Sequence, residues 1–126
     1  MEGWLKFNRA MKIYLTIPYS QHEEESFNVA NKVAAYLMSK GYIVFSPISH
    51  SHCIAIENNL PGNFESWKAL DESFIEWCDW MIIVIMENDG VNRIKQSKGV
   101  QAEIKIAMRE GKEIMYLHEN NLHDIT

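Results

Sequence analysis

The sequence predicts an α/β fold: a single-domain three-layer sandwich, flavodoxin- or Rossmann-like, around a four- to five-stranded parallel sheet. Three observations predict it. Short apolar runs alternate with longer segments of helical periodicity in the order β-α-β-loop-α-β-α-β. Such alternation gives a parallel sheet whose right-handed crossovers lay helices on both faces. The run 80–86 (WMIIVIM) is apolar at every position, as a central strand covered on both faces must be. Finally, 126 residues are enough for one domain and too few for two.

Residues 13–17 (IYLTI) are a β-branched and aromatic run stopped by Pro18, which reads as a buried strand. Residues 1–11 precede it as an N-terminal extension, with Trp4, Leu5 and Phe7 as candidates for packing on the surface or on a partner, and the domain proper takes residues 12–126. Ser20 and Glu23 have the S-x-x-E spacing of a capping box. Phe27, Ala30, Val33, Ala34, Leu37 and Met38 then recur at helical spacing as far as Ser39, and Gly41 supplies the stop.

The second strand is residues 42–45, ended by Ser46 and Pro47. The stretch 48–63 reads as a long irregular loop, and loops of that length in small domains usually serve function. Trp67, Leu70, Phe74 and Cys78 share one helical face, with Asp71 and Ile75 beside it. After the central strand a polar loop covers 87–98. Gly99 leads into a helix carrying Val100, Ile104, Ala107 and Met108, which Gly111 ends. Residues 113–117 form the last strand, and the remaining tail is polar.

Composition narrows the function classes. Seventeen acidic against 12 basic side chains give a net charge of −5 without any basic run, so duplex nucleic acid is not an expected partner. The longest apolar run is far short of a membrane span, and the N-terminus lacks the apolar core of a signal peptide. Two cysteines, Cys53 and Cys78, show no knuckle or disulfide spacing, so a cytoplasmic location is the default. His50 and His52 have no third partner at metal-site spacing, and no metal is expected. Contact with a ligand, or a bond that pins the loop, is the better reading of both.

Sites in open parallel sheets lie beyond the carboxyl ends of the strands, where strand order reverses. That points to residues 18–23, 46–52 and 87–103, and so to Tyr19, Ser20, His50 and His52 as candidate substrate-binding residues. The strongest constellation is S-K-G-V-Q-A-E, from Ser97 to Glu103. Gly99 lets the backbone approach a ligand, the helix start offers free N–H groups to an anion, and Ser97 adds a hydroxyl. Glu103, about one turn in, is expected to be held ionised by the helix field. The plain alternative is that acidic residues are common in first helical turns.

Taken together, Ile13-Tyr14-Leu15, the strand ending in Phe45-Ser46-Pro47-Ile48, His50-Ser51-His52, Leu60-Pro61-Gly62, Trp67 with Asp71, Cys78-Asp79 and Ser97-x-Gly99-Val100-x-x-Glu103 resemble the DUF1937-type family of small proteins. That family is grouped with the nucleoside 2-deoxyribosyltransferases and the 2′-deoxynucleoside 5′-monophosphate N-hydrolases, and the resemblance spans about residues 12–117. It implies that Glu103 is the nucleophile towards C1′ of a deoxyribose and that Tyr14 holds its carboxylate. It implies further that Ser97 grips a 5′-phosphate and that Asp71 contacts the leaving base. No cofactor is implied. Superfamily members commonly complete the pocket with a neighbouring subunit, so a homo-oligomer, first of all a dimer, is expected.

One departure stands out. Relatives often carry an arginine early in the first helix, where this chain has Glu23-Glu24-Glu25-Ser26. The sequence therefore leaves two main functional readings: an N-glycosidic hydrolase or deoxyribosyltransferase on deoxynucleosides or their 5′-monophosphates, and a non-catalytic nucleotide-binding module. A third is an assembly subunit using the aromatic residues of the extension. Asp79, at the amino end of the central strand, reads as a turn or cap residue and not as a catalytic one.

Overall fold

A computed structural model describes residues 11–61 and 63–125. Residues 1–10 of the expected extension, with Trp4, Leu5 and Phe7, and Gly62 of the Leu60-Pro61-Gly62 motif lie outside the described residues. Strand β1 (Lys12–Thr16) is followed by α1 (Glu23–Ser39), β2 (Ile43–Phe45), α2 (Pro47–Glu57), α3 (Phe64–Trp77) and β3 (Trp80–Ile85). Helices α4 (Gly90–Gln96) and α5 (Lys98–Arg109), strand β4 (Glu113–His118) and a 3-10 turn (Leu122–Ile125) complete the order. The four strands form one parallel sheet in the order β2-β1-β3-β4. The order reverses between β1 and β3, so the switch point lies at their carboxyl ends.

Strand periodicity sorts the core into two layers. Ile13, Leu15, Ile82, Val84 and Leu117 face α1, whose Ala30, Val33 and Leu37 are buried against them. Tyr14, Met81 and Ile83 face the other way, onto Ile75 of α3 and Val100, Ile106 and Ala107 of α5. At the amino end of the sheet Asp79 ties two strands together: its Oδ2 accepts from the Lys12 N–H at 2.9 Å, and its own N–H donates to the Lys12 carbonyl at 2.7 Å.

Several expectations are corrected. The stretch 48–63 is not an irregular loop: α2 occupies its first half. Ser46 Oγ accepts from the Ser49 N–H at 3.3 Å and Pro47 takes the first turn, a combination that starts helices. Its buried face is Pro47, Ser51, His52 and Ala55, which leaves no apolar periodicity to read. The polar loop expected at 87–98 contains α4, anchored by buried Ile94 and by Gly90. A Cβ at Gly90 would stand 2.8 Å from Ile85 Cγ2, so only glycine fits there.

The capping box at Ser20 and Glu23 does not form. Gln21 takes a left-handed φ of 72°, His22 becomes the N-cap residue, and Glu23 enters the first turn with its carboxylate accepting from the Gln21 N–H at 2.9 Å. On α3 the buried face centres on Asp71 and Ile75, not on the Trp67–Phe74 stripe. Met38 and Met108, expected to pack, are exposed on the outer faces of their helices. The polar tail also contributes to the core, since Ile125 is buried beside Leu117.

Candidate active site

The side-chain alternation that builds the sheet also builds the site. Tyr14 and Thr16 are two residues apart in β1, so both point to the α5 face. On α5, Val100, Glu103, Ile106 and Ala107 recur along the buried stripe, which turns a carboxylate inward among apolar neighbours. The three side chains meet there. The Tyr14 hydroxyl donates to Glu103 Oε2, and Thr16 Oγ1 donates to Glu103 Oε1 at 2.5 Å. Both carboxylate oxygens are therefore held, and the rotamer of Glu103 is fixed from below.

Glu103 lies in the second turn of α5 and is buried. Burial pushes its carboxyl up to about 7, against the opposing pull of the Thr16 and Tyr14 hydrogen bonds. The expectation of a carboxylate kept ionised by the helix start is thus replaced by one poised near neutrality. Tyr14, fully buried, has its phenol raised well above its ordinary value by burial and then by Glu103, so it remains a donor.

Asp71 reaches the same place from α3. Mid-helix aspartate is ordinarily solvent-facing, yet Asp71 is buried and its Oδ1 has no hydrogen-bond partner among the described residues. Burial first, and the Glu103 charge second, push it up to about 7. Among the described residues no donor stabilises its charged form, whereas two hydroxyls stabilise that of Glu103. At neutral pH the pair favours an ionised Glu103 beside a protonated Asp71.

Both carboxyl groups line a cavity of about 620 Å³ at the carboxyl end of β1, walled by the segments that follow β1 and β2 and by α3, α4 and α5. Of the other sequence-predicted residues, Ser97, Gly99, Tyr19, Ser20 and His52 line it, whereas Tyr14 lies beneath it against Glu103 and His50 is off it. His50 is exposed on α2, with Nδ1 3.1 Å from Ser51 Oγ and its ring against Phe45. Ser97 caps α5, its Oγ accepting from the Val100 N–H at 3.1 Å. Gly99 sits inside the first turn, where a Cβ would meet only ordinary contacts, 3.8 Å from Phe64 Cβ.

His52 is buried, stacked on Phe27 with ring centroids 4.2 Å apart. Its Nδ1 is 2.6 Å from the Tyr19 hydroxyl and its Nε2 3.3 Å from Glu24 Oε2. A carboxylate only accepts, so Nε2 carries the proton and Tyr19 donates to Nδ1. His52 thus pins Tyr19, and with it the turn of residues 18–22, at the cavity mouth.

Thr16 and Arg93 also line the cavity. For Thr16 the sequence carries a signal, its two-residue spacing from Tyr14. Arg93 lies on α4, which has no periodic signature. Cys78 is held in the core, where burial pushes its thiol up to about 11 and so disfavours the thiolate a nucleophile needs.

The DUF1937 family, a domain of unknown function, matches residues 11–119. The chain belongs to that family. Solved structures share this fold, and the one at 29% identity places this DUF1937 protein in the nucleoside 2-deoxyribosyltransferase-like superfamily. One is the 2-deoxyribosyltransferase of Bacillus psychrosaccharolyticus, 29% identical, with a TM-score of 0.55 over 85% of this chain and 72% of that one. Another is the 2-deoxyribosyltransferase of Leishmania mexicana, 18% identical, with a TM-score of 0.57 over 86% of this chain and 64% of that one. The second likeness is one of fold alone, over less than two thirds of that protein. No protein of curated function matches the sequence. Among the described residues no helix is long and apolar enough to cross a membrane.

Proposed function

We propose that this DUF1937 protein cleaves or exchanges the N-glycosidic bond of 2′-deoxynucleosides or their 5′-monophosphates, with Glu103 as nucleophile. The observation that carries the reading is the carboxyl pair: Glu103 held by Tyr14 and Thr16, and Asp71 unpartnered on the same cavity. The 29% identical deoxyribosyltransferase supports the same chemistry.

In the first step a Glu103 oxygen attacks C1′ as the C1′–N bond breaks through an oxocarbenium-like state. The bonding electrons pass to the base nitrogen, and protonated Asp71 supplies the proton. This leaves a glycosyl ester on Glu103 and a carboxylate on Asp71. In the second step water loses a proton to Asp71 and attacks C1′, freeing the sugar and the Glu103 carboxylate. A second base in place of water gives transfer. Tyr14 and Thr16 orient the nucleophile and moderate its basicity.

The test incubates the protein with each common deoxynucleoside and deoxynucleoside 5′-monophosphate and reads free base by chromatography, with Glu103→Ala in parallel. Base release that the variant lacks supports the reading. A folded protein that releases base from none of them, alone or with a second base as acceptor, sinks it in favour of a module that only binds.

A further inference from the structure

Arg93 stands on the cavity wall with its side chain only 11% exposed. Its Nη1 donates to Glu25 Oε1 at 3.2 Å and lies 3.6 Å from Met86 Sδ. Among the described residues its Nε and Nη2 make no hydrogen bond. A guanidinium is a rigid fork of five N–H donors, suited to two-point capture of an oxyanion. Most of this fork is unused, although the group has been drawn almost entirely out of solvent. Gln96, Ser97 and Lys98 follow on the same wall and add further donors.

Glu25, by contrast, is not part of the cavity lining and its side chain is 43% exposed. It projects from the first turn of α1 and can swing into water without losing a buried contact. If the pair served only to staple α4 to α1, neither the open donors nor their place on the cavity would be needed.

We infer that Arg93 is the oxyanion-recognising residue of this cavity and that Glu25 is its built-in competitor. A phosphate monoester engages the open Nε and Nη2 donors, and its charge drives the Glu25 carboxylate off Nη1 into water. A phosphate dianion wins the exchange because it carries more charge and engages two donors at once. A neutral deoxynucleoside leaves the pair intact. Glu25 therefore sets how strongly the site prefers a nucleotide to a nucleoside, while the site's identity as a nucleotide pocket rests on the function proposed above.

The experiment is a thermal-shift and calorimetric titration with inorganic phosphate, a deoxynucleoside 5′-monophosphate and the matching deoxynucleoside, at constant ionic strength. Wild type, Glu25→Gln, Arg93→Gln and Arg93→Lys are compared. The expected result is saturable binding of both phosphates to wild type. Glu25→Gln should bind them about two- to fivefold more tightly, the range spanned by a half-exposed ion pair. Arg93→Gln should weaken them by about tenfold or more, and the deoxynucleoside should be unaffected by Glu25→Gln. Arg93→Lys keeps the charge without the fork and should fall in between, which preserves the test if Arg93→Gln does not fold. Phosphate affinity unchanged in either Arg93 variant, or not increased in Glu25→Gln, overturns the inference. The titration needs no turnover, so absence of base release would sink the glycosidic reading and leave this result standing.

Discussion

Asp71 and Glu103 face one cavity in opposite hydrogen-bonding states: both oxygens of Glu103 are held by hydroxyl donors, and Oδ1 of Asp71 is held by nothing among the described residues. Burial raises both groups to about 7, so the difference in partners decides which one carries the proton. Two carboxyls made unlike by their surroundings divide acid and nucleophile roles without a cofactor.

The pH dependence of turnover follows from that division. On the proposed function, activity should rise as Glu103 loses its proton and fall as Asp71 loses its own, so kcat/KM should trace a narrow bell centred near 7, with apparent values that belong to the pair. Tyr14→Phe removes a bond that lowers the Glu103 value. Its ascending limb should move up by about one pH unit, and kcat at pH 7 should drop by about 10- to 100-fold. A Tyr14→Phe profile superimposable on wild type would show that Tyr14 does not control the carboxylate.

The same shifts make stability depend on pH. In the unfolded chain the two carboxyls titrate near 4, and in the folded protein near 7. The folded state therefore holds more protons in between. Its stability is full below about pH 4 and declines as pH rises through 7, at up to about 1.4 kcal/mol per pH unit for each group. Glu103→Gln removes one buried charge, so it should be about 1–3 kcal/mol more stable than wild type at pH 8 and show a flatter profile. Denaturant melts from pH 5 to 8 measure this, and a variant less stable than wild type at pH 8 would refute it.

Strand residues were legible because their burial is written in apolar letters, and β3 (Trp80–Ile85) lies where the run 80–86 puts it. The place of Glu103 on the cavity was legible twice over, through the resemblance and as an acidic residue about one turn into the helix that Gly99 opens. Helix α2 was hidden because its inward face is proline, serine, histidine and alanine. Helix α4 was hidden because seven residues with one buried isoleucine give no period. Arg93 was lost with it. Thr16 reads as an ordinary β-branched strand residue: its two-residue spacing from Tyr14 puts it on the same face, but the letter alone does not distinguish a methyl packed in the core from a hydroxyl aimed at a carboxylate. The capping box failed because positive φ at Gln21 turns the chain two residues before the helix begins at Glu23.

Ser97 has a structural role as the N-cap of α5 as well as its place on the cavity. Ser97→Ala should cost about 1 kcal/mol. Ser97→Asp keeps a capping oxygen and should stay within about 0.5 kcal/mol of wild type, while placing a negative charge on the cavity wall. If the cavity takes 5′-monophosphates, the aspartate variant should lose them selectively and retain the nucleosides. Equal loss of both substrates, with stability intact, would assign Ser97 to a part of the ligand other than its phosphate.

His52 separates packing from positioning. Its ring stacks on Phe27 and its Nδ1 takes the Tyr19 hydroxyl at 2.6 Å. His52→Ala removes both and should cost about 2–3 kcal/mol through the cavity it leaves and the lost ring contact. His52→Phe preserves the stack and most of the stability but cannot accept from Tyr19. If the bond to Tyr19 is what holds residues 18–22 over the ligand, His52→Phe should raise KM several-fold with kcat nearly unchanged, since Tyr19 then touches substrate from a disordered turn. A His52→Phe enzyme with the wild-type KM would mean that the ring holds the turn in place by packing alone, and that the hydrogen bond only occupies a donor which burial would otherwise leave unpaired.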